Sequence, residues 1–133
     1  MAAWFADLEV TRTVLRVFAP SIPQEREWLD KVARDDTQIV WAVEFEGRLV
    51  GTTGIHQIDW PNQHGTTGTV IGEKSVWGRG IASEAMRLRT RFAFTQTTLR
   101  KLDSGYLEGN EASWRAQQKS GYREVGRRRG EYF

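Results

Sequence analysis

Cysteine is missing altogether from the 133 residues. Its absence removes a disulfide framework, a cysteine nucleophile and thiolate metal ligands together, and suits a reducing compartment. No apolar run approaches the ~20 residues a membrane helix needs, so no membrane partner is expected. The opening, Met1 to Val10, mixes Trp4 and Phe5 with Asp7 and Glu9. It lacks the basic start and apolar run of a secretory signal, and a cytoplasmic location is expected. There is no internal repeat and no low-complexity stretch. The length is too short for two cores, which leaves one domain over residues 1–133.

A strong charge of one sign is lacking as well. The formal net charge is +2, although arginines cluster at Arg87, Arg89, Arg91 and Arg127 to Arg129. Such clusters are solvated faces or an attraction for a polyanion. A dedicated nucleic-acid binder carries a larger basic excess and a recognisable module, and neither is here, so no nucleic-acid partner is expected. Hydrophobic residues at 39% and charged residues at 27% allow a real core under a solvated surface.

The residues that are present alternate between helix and strand patterns. Met1 to Val14 reads as one or two helical turns. Ser21 and Gln24 form a capping-box pattern with Pro23 in the first turn, opening a helix to Arg34. Its apolar positions Ile22, Trp28, Leu29 and Val32 have helical spacing. Gln38–Phe45 and Arg48–Asp59 read as strands joined at Glu46-Gly47, a hairpin. Trp60 to His64 is a loop, and Thr67–Lys74 a third strand. Ser75 to Gly80 is a glycine-bearing loop before a helix from Ile81 to Gln96. On that helix Ile81, Ala85, Leu88 and Phe92 form a stripe flanked by Ala82, Met86 and Ala93. Lys101–Leu107 reads as a strand, Asn110–Ser120 as a helix closed by Gly121, and Tyr122–Phe133 as extended. The order predicts a mixed α/β layer.

The segment from Val70 to Ala82 leaves a strand, crosses Gly78 and Gly80, and enters a helix. The first amides of a helix have no partner within it and sit at its positive end, which suits a phosphate. Arg79 adds charge. The dinucleotide fingerprint fails because position 83 is Ser83, and the nucleotide P-loop pattern is absent. On spacing alone an anion seat and a plain strand-to-helix turn both remain open.

A second segment adds specificity. Trp77-Gly78-Arg79-Gly80-Ile81-Ala82-Ser83-Glu84-Ala85, Phe92-Ala93-Phe94, Asn110-Glu111-Ala112-Ser113 and Lys119-Ser120-Gly121-Tyr122 together resemble the cofactor motifs of the GNAT acetyltransferase superfamily. They are most similar to the branch that contains the ribosomal-protein N-terminal acetyltransferases. The hairpin at Gly47 followed by Leu49-Val50-Gly51 matches the strands that precede those motifs. The resemblance implies a mostly antiparallel central sheet with helices on both faces. It also implies acetyl-coenzyme A as co-substrate and an amine acceptor: a protein N-terminus, a polyamine or a small amine. By the same resemblance, two strands splay and the pantetheine arm lies between them, bonding Ile71, Glu73 and neighbouring main chain like an added strand. A strand N–H near Ile71 or Gly72 would stabilise the thioester oxygen. The amides from Gly78 through Arg79, Gly80 and Ile81 to Ala82 would hold the pyrophosphate. Asn110 would bond the pantetheine or adenine-side chain, and Lys119 would approach phosphate. Asn110 is equally a helix N-cap, and Lys119 equally an exposed helix-end lysine.

The chain departs from the resemblance where relatives keep proton-handling groups. The place of a frequent glutamate is Thr66, and that of a frequent tyrosine is Gln117. His56 becomes the candidate base because its ordinary pKa is near ~6.5; it is otherwise a half-exposed strand histidine. Asp59 and Glu73 are weaker candidates, and His64 is expected to be solvated. No metal site is expected. Relatives also carry a strand before the first helix and another after the region of Arg127 to Phe133. Unpaired edges there imply a homodimer. A degenerate coenzyme A-binding sensor is the alternative to an enzyme.

Overall fold

The computed structural model describes residues 2–5, 7–11 and 21–130. Two four-residue helices come first, α1 (Ala2–Phe5) and α2 (Leu8–Thr11), followed by α3 (Ile22–Arg34). The last residues of the expected first helical segment, 12–14, lie outside the described residues. The Ser21 hydroxyl accepts from the Gln24 amide and the Gln24 side chain accepts from the Ser21 amide, so the capping box forms as read. The apolar face of α3 buries none of its residues; Ile22, Trp28 and Leu29 are exposed.

The sheet runs β1 (Ile39–Phe45), β2 (Arg48–Asp59), β3 (His64–Ile71), β4 (Lys101–Asp103), in that spatial order. β1, β2 and β3 are antiparallel, and β4 joins β3 in parallel. Glu46 and Gly47 both have positive φ, 52° and 76°, the geometry that closes a two-residue hairpin with the correct twist. Val43 pairs with Gly51 and Glu44 with Leu49, which leaves Val50 as a bulge. A second irregularity follows His56, where Gln57 has φ 49°. It turns Ile58 into the core, where Ile55, Ile58, Ala93 and Leu99 cluster with Trp41, Trp60 and Leu102 against them.

α4 (Ile81–Gln96) lies on one face of this sheet, and Trp4 of α1 packs against Gly72 on the other, giving helices on both faces. Where the stripe on α4 was expected to bury Leu88 and Phe92, both are exposed, and the buried positions are Ala85, Met86, Arg89 and Ala93. Arg89 occupies the inward position. Its guanidinium bonds Thr53, Thr69 and the Gly68 carbonyl on the sheet and the Tyr122 hydroxyl. The helix is thereby rotated so that Phe92 meets Trp41 edge-on at the β1 side, 5.1 Å between ring centres. α5 (Glu111–Lys119) follows, with Asn110 as N-cap and Gly121 at φ 94° just past its end, as expected.

Three strand expectations need correction. β3 begins at His64 rather than Thr67, because the turn at residues 60–63 is short and His64 to Thr66 gain partners on both sides. It ends at Ile71, since Gly72 passes under Trp4 and residues Lys74–Val76 coil into a single 3-10 turn. β4 stops at Asp103 rather than Leu107. There the chain swings toward α5, and the Gly105 carbonyl accepts from Gln117 instead of from β3. Residues 122–130 join no ladder among the described residues; Glu124 accepts from the Tyr106 and Arg127 side chains. Residues 131–133 of that expected segment lie outside the described residues. No described helix is long and apolar enough to cross a membrane.

Candidate active site

The early end of β4 creates the main feature of the site. β3 and β4 share a ladder from His64/Lys101 to Thr66/Asp103, after which β3 runs on to Ile71 paired with β2 but not with β4. Alternation along the ladder then decides which groups are free. The Gly72 amide donates to the Val50 carbonyl at 2.9 Å, so Gly72, Val70 and Gly68 turn their peptide groups toward β2. Thr69 and Ile71 therefore present N–H and C=O to the gap. Glu73 also gives its amide to Val50, at 3.3 Å, and its carboxylate accepts from the Trp4 indole at 3.0 Å. Of the two amides considered for an oxyanion, Ile71 faces the gap and Gly72 is engaged within the sheet.

Gly78 and Gly80 have φ 80° and 77°, and nothing lies within 4 Å of where a side chain would start at either. Such a backbone is open to close approach by an anion and suits glycine specifically. Gly80 caps α4 without any side-chain bond to its first amides. Ile81, Ala82 and Ser83 thus leave the helix's positive end unfilled. The Arg79 guanidinium rests 5.8 Å from the Phe45 ring centre, beside the loop. Trp77 closes the loop's entry, its indole donating to the Ile71 carbonyl at 2.8 Å.

Asn110 is the N-cap of α5; its side-chain oxygen accepts from Ser113 at 3.2 Å. At the other end of that helix Ser120 bonds the Ser83 carbonyl in the first turn of α4. Asn110 lies at the opposite end of α5, about 15 Å back along the helix axis from Ser120 at 1.5 Å per residue. Lys119 is exposed beside Ser120 in the last turn.

His56 lies on the face opposite α4, directly across from Thr66. Burial, and then the charge of Arg89 behind the sheet, hold its pKa below the ordinary 6.5. The weaker base candidates are tied up: Asp59 by Asn62 and Glu73 by Trp4. His64 is not simply solvated but stands 3.8 Å from Asp59. Gln117 is buried and bonded to Gly105 and Ser113. Residues that sequence reading passed over are Gln38, which bonds the His56 ring, and Arg89, whose inward position was hidden in an arginine-rich stretch. Among the described residues no group of acids and histidines could hold a metal.

A cavity of about 580 Å³ opens between β1 and α4, lined by Trp41, Phe45, Arg79, Ile81, Leu88 and Phe92 among others. None of its lining comes from β3 or β4, but Arg79, Gly80 and Ile81 at the start of α4 belong to it.

The family model described as acetyltransferase (GNAT) domain matches residues 1–123. The chain belongs to the GNAT acetyltransferase family. A SPbeta prophage-derived uncharacterized N-acetyltransferase, YokL, of Bacillus subtilis (strain 168) is 27% identical over 125 residues, 92% of this chain and 70% of that protein. The spermidine N-acetyltransferase of Vibrio cholerae, solved with CoA and spermine, superposes with TM-score 0.89 at 16% identity, covering 99% of this chain and 78% of that one. A chimera of that enzyme with hSSAT gives TM-score 0.78 at 20% identity, over 86% and 71%. The mixed sheet with its mostly antiparallel strands is the GNAT fold. The chain is therefore an acetyl-CoA-dependent N-acetyltransferase. The residues present fit that co-substrate, with open glycines at the helix start and an unpaired strand edge leading to them.

Proposed function

We propose that this acetyltransferase acts on a primary amine, with His56 accepting the amine proton and the Ile71 amide stabilising the carbonyl oxygen. The observation that carries the reading is the gap left by β4, which joins an unpaired strand edge to the bare start of α4. Gly78, Arg79, Gly80, Ile81 and Ala82 would seat the pyrophosphate. Ile71 and Glu73 would flank the pantetheine arm, Asn110 would meet its far side and Lys119 a phosphate. Bound acetyl-CoA supplies an activated thioester whose thiolate leaves without an acid.

The chain's own groups do the rest. A donor preset at Ile71 favours the charge that develops on oxygen. A neutral imidazole takes the proton from the attacking nitrogen, through one water. About 10 Å of strand separates Gly68, the cross-strand partner of the Gly54 that underlies the His56 ring, from Ile71 at ~3.3 Å per residue. That spans an acetyl carbon, an amine and a water. Polyamines are candidate acceptors because the Vibrio cholerae relative is a spermidine enzyme. Protein N-termini are candidates through the motif resemblance to the ribosomal-protein branch. Among the described residues β1 is an edge strand, which supports a homodimer; sedimentation as a 15.3 kDa species would refute it.

Thiol release from acetyl-CoA against a panel of polyamines, peptides and small amines tests this reading. Loss of turnover in His56→Gln with acetyl-CoA affinity retained is the expected result. The second reading, a coenzyme A-binding sensor, draws on Gln117, which is committed to structural bonds and handles no proton. Tight binding of acetyl-CoA with no thiol release across the panel would favour it.

A further inference from the structure

Asp35, Gln38 and His56 form a hydrogen-bonded line whose chemistry leaves one assignment of protons. Asp35 Oδ2 receives Gln38 Nε2 at 2.8 Å, while Oδ1 receives the Thr37 amide at 2.9 Å and the Thr37 hydroxyl at 2.6 Å. An ionised carboxylate only accepts, so the Gln38 end that faces it must be the amide nitrogen. Asp35 is held ionised: its pKa is lowered first by the Thr37 hydroxyl, then by the Thr37 amide and Gln38. Gln38 consequently turns its carbonyl oxygen to His56 Nδ1, 3.1 Å away. A carbonyl oxygen cannot donate, so Nδ1 carries the proton and Nε2 keeps its lone pair.

The backbone then aims that lone pair. A side chain starting at Gly54 would come within 2.9 Å of Nε2 and 3.1 Å of Cε1, so the ring lies back across Gly54 in space only glycine leaves. Gly54 is paired with Gly68, which is exposed and has nothing within 4 Å of where its side chain would start. Nε2 thus lies over buried Gly54, whose cross-strand partner Gly68 is open and sits on the strand that leads to Ile71. The loop bearing Asp35 and Gln38 is pinned there by two anchors. The Ile58 amide donates to the Thr37 carbonyl and the Trp60 indole to the Asp36 carbonyl, each at 2.8 Å.

We propose that Asp35 and Gln38 are positioning residues for His56, fixing the Nδ1–H tautomer and directing Nε2 at the acceptor amine above Gly54 and Gly68. The catalytic part of this rests on His56 being the base; the tautomer part does not. The charged groups bearing on the ring are Arg89, from α4 through the sheet, and Asp35, beyond Gln38.

Asp35→Asn is the decisive substitution. Thr37 still needs an acceptor, so the new amide keeps its oxygen at Oδ1 and presents nitrogen toward Gln38. Gln38 must then flip, offer nitrogen to Nδ1 and move the ring proton to Nε2. Long-range ¹H–¹⁵N correlation spectra above pH 6.5 read this in the protein without substrate. The expected result is Nδ1–H in the wild type and Nε2–H in Asp35→Asn, with Gln38→Leu losing the Nδ1–H preference. With the responsive amine, kcat should fall about tenfold or more in both variants while KM for acetyl-CoA holds, as expected for a misplaced base. An Nε2–H wild type, or a tautomer unmoved by both substitutions, overturns the proposal. A tautomer that switches with kcat unchanged supports the orientation and overturns the base assignment beneath it.

Discussion

The Trp77 indole nitrogen donates to the Ile71 carbonyl at 2.8 Å, on the strand edge where the resemblance lays the pantetheine arm. A cofactor amide seeking that oxygen competes with a side chain already there. Trp77 is partly exposed, and displacing it forfeits one hydrogen bond, worth about 0.5–1.5 kcal/mol net. Trp77→Phe keeps most of the ring and removes the donor. Calorimetry should show coenzyme A binding tighter by about two- to tenfold. Weaker binding would mean the indole supports the bound state instead.

The second prediction concerns charge at the start of α4. Gly80 has φ 77°, a conformation that aspartate and asparagine tolerate about equally well among residues with side chains. Their difference is therefore mainly electrostatic. Gly80→Asp sets a carboxylate against the incoming pyrophosphate and should weaken acetyl-CoA binding more than tenfold relative to Gly80→Asn. Equal affinities for the two variants, measured by titration at low salt, would move the anion seat elsewhere.

Arg89 supplies a stability test. It is 3% exposed; among the described residues its hydrogen-bond partners are neutral oxygens and its Nε has none. A buried cation without a carboxylate partner is costly, and replacement by an apolar residue of similar size is often neutral or stabilising by about 1–4 kcal/mol. Arg89→Met should accordingly leave the urea midpoint unchanged or raise it. Tyr122→Phe should lower stability by about 1–3 kcal/mol, because it strips a partner from a charge that remains buried. A large loss in Arg89→Met would show that its bonds to Thr53, Thr69 and Gly68 outweigh desolvation.

Gly72 carries a steric prediction. A side chain there would start about 2.0 Å from the Trp4 ring, and Trp4 is itself buried against this strand. Gly72→Ala must push α1 outward, a strain of about 1–3 kcal/mol. Thermal unfolding should fall by several degrees while acetyl-CoA affinity changes little. An unchanged midpoint would show that α1 yields freely.

These tests fall where sequence and structure part company. The capping box at Ser21, the hairpin at Glu46-Gly47, the bounds of β2 and α4 and the cap at Asn110 were legible, because each is set by local chemistry within a few residues. The bounds of β3 and β4 were not. They depend on which strand lies alongside, and past Asp103 the chain leaves β3 for α5, where Gln117 donates to the Gly105 carbonyl. The stripe on α4 was misread for a related reason: periodicity scores Leu88 and Phe92 as core, while Arg89 reaches neutral acceptors on two strands and takes the inward place. Of the candidate site, Gly78, Gly80 and His56 are nominated by residue type. Gln38 is not, since nothing in the order of residues brings it beside a ring 18 positions away.

The last prediction follows from the environment of His56. Burial chiefly, and the Arg89 charge second, lower its pKa below 6.5, so the ring stays neutral and able to accept a proton further into the acid range. With His56 as base, kcat/KM should be flat near neutrality and fall tenfold per unit only below pH 6.5. Arg89→Met removes one of the two causes, and the acid limb should then move up toward 6.5. Stability has the matching sign. A folded pKa below the unfolded one means the unfolded chain binds the extra proton first, so this contribution is present above pH 6.5 and is lost as pH falls toward the folded value. An acid limb at or above 6.5 in the wild type, or one that ignores Arg89→Met, would assign the titration to a different group and remove His56 from the reaction.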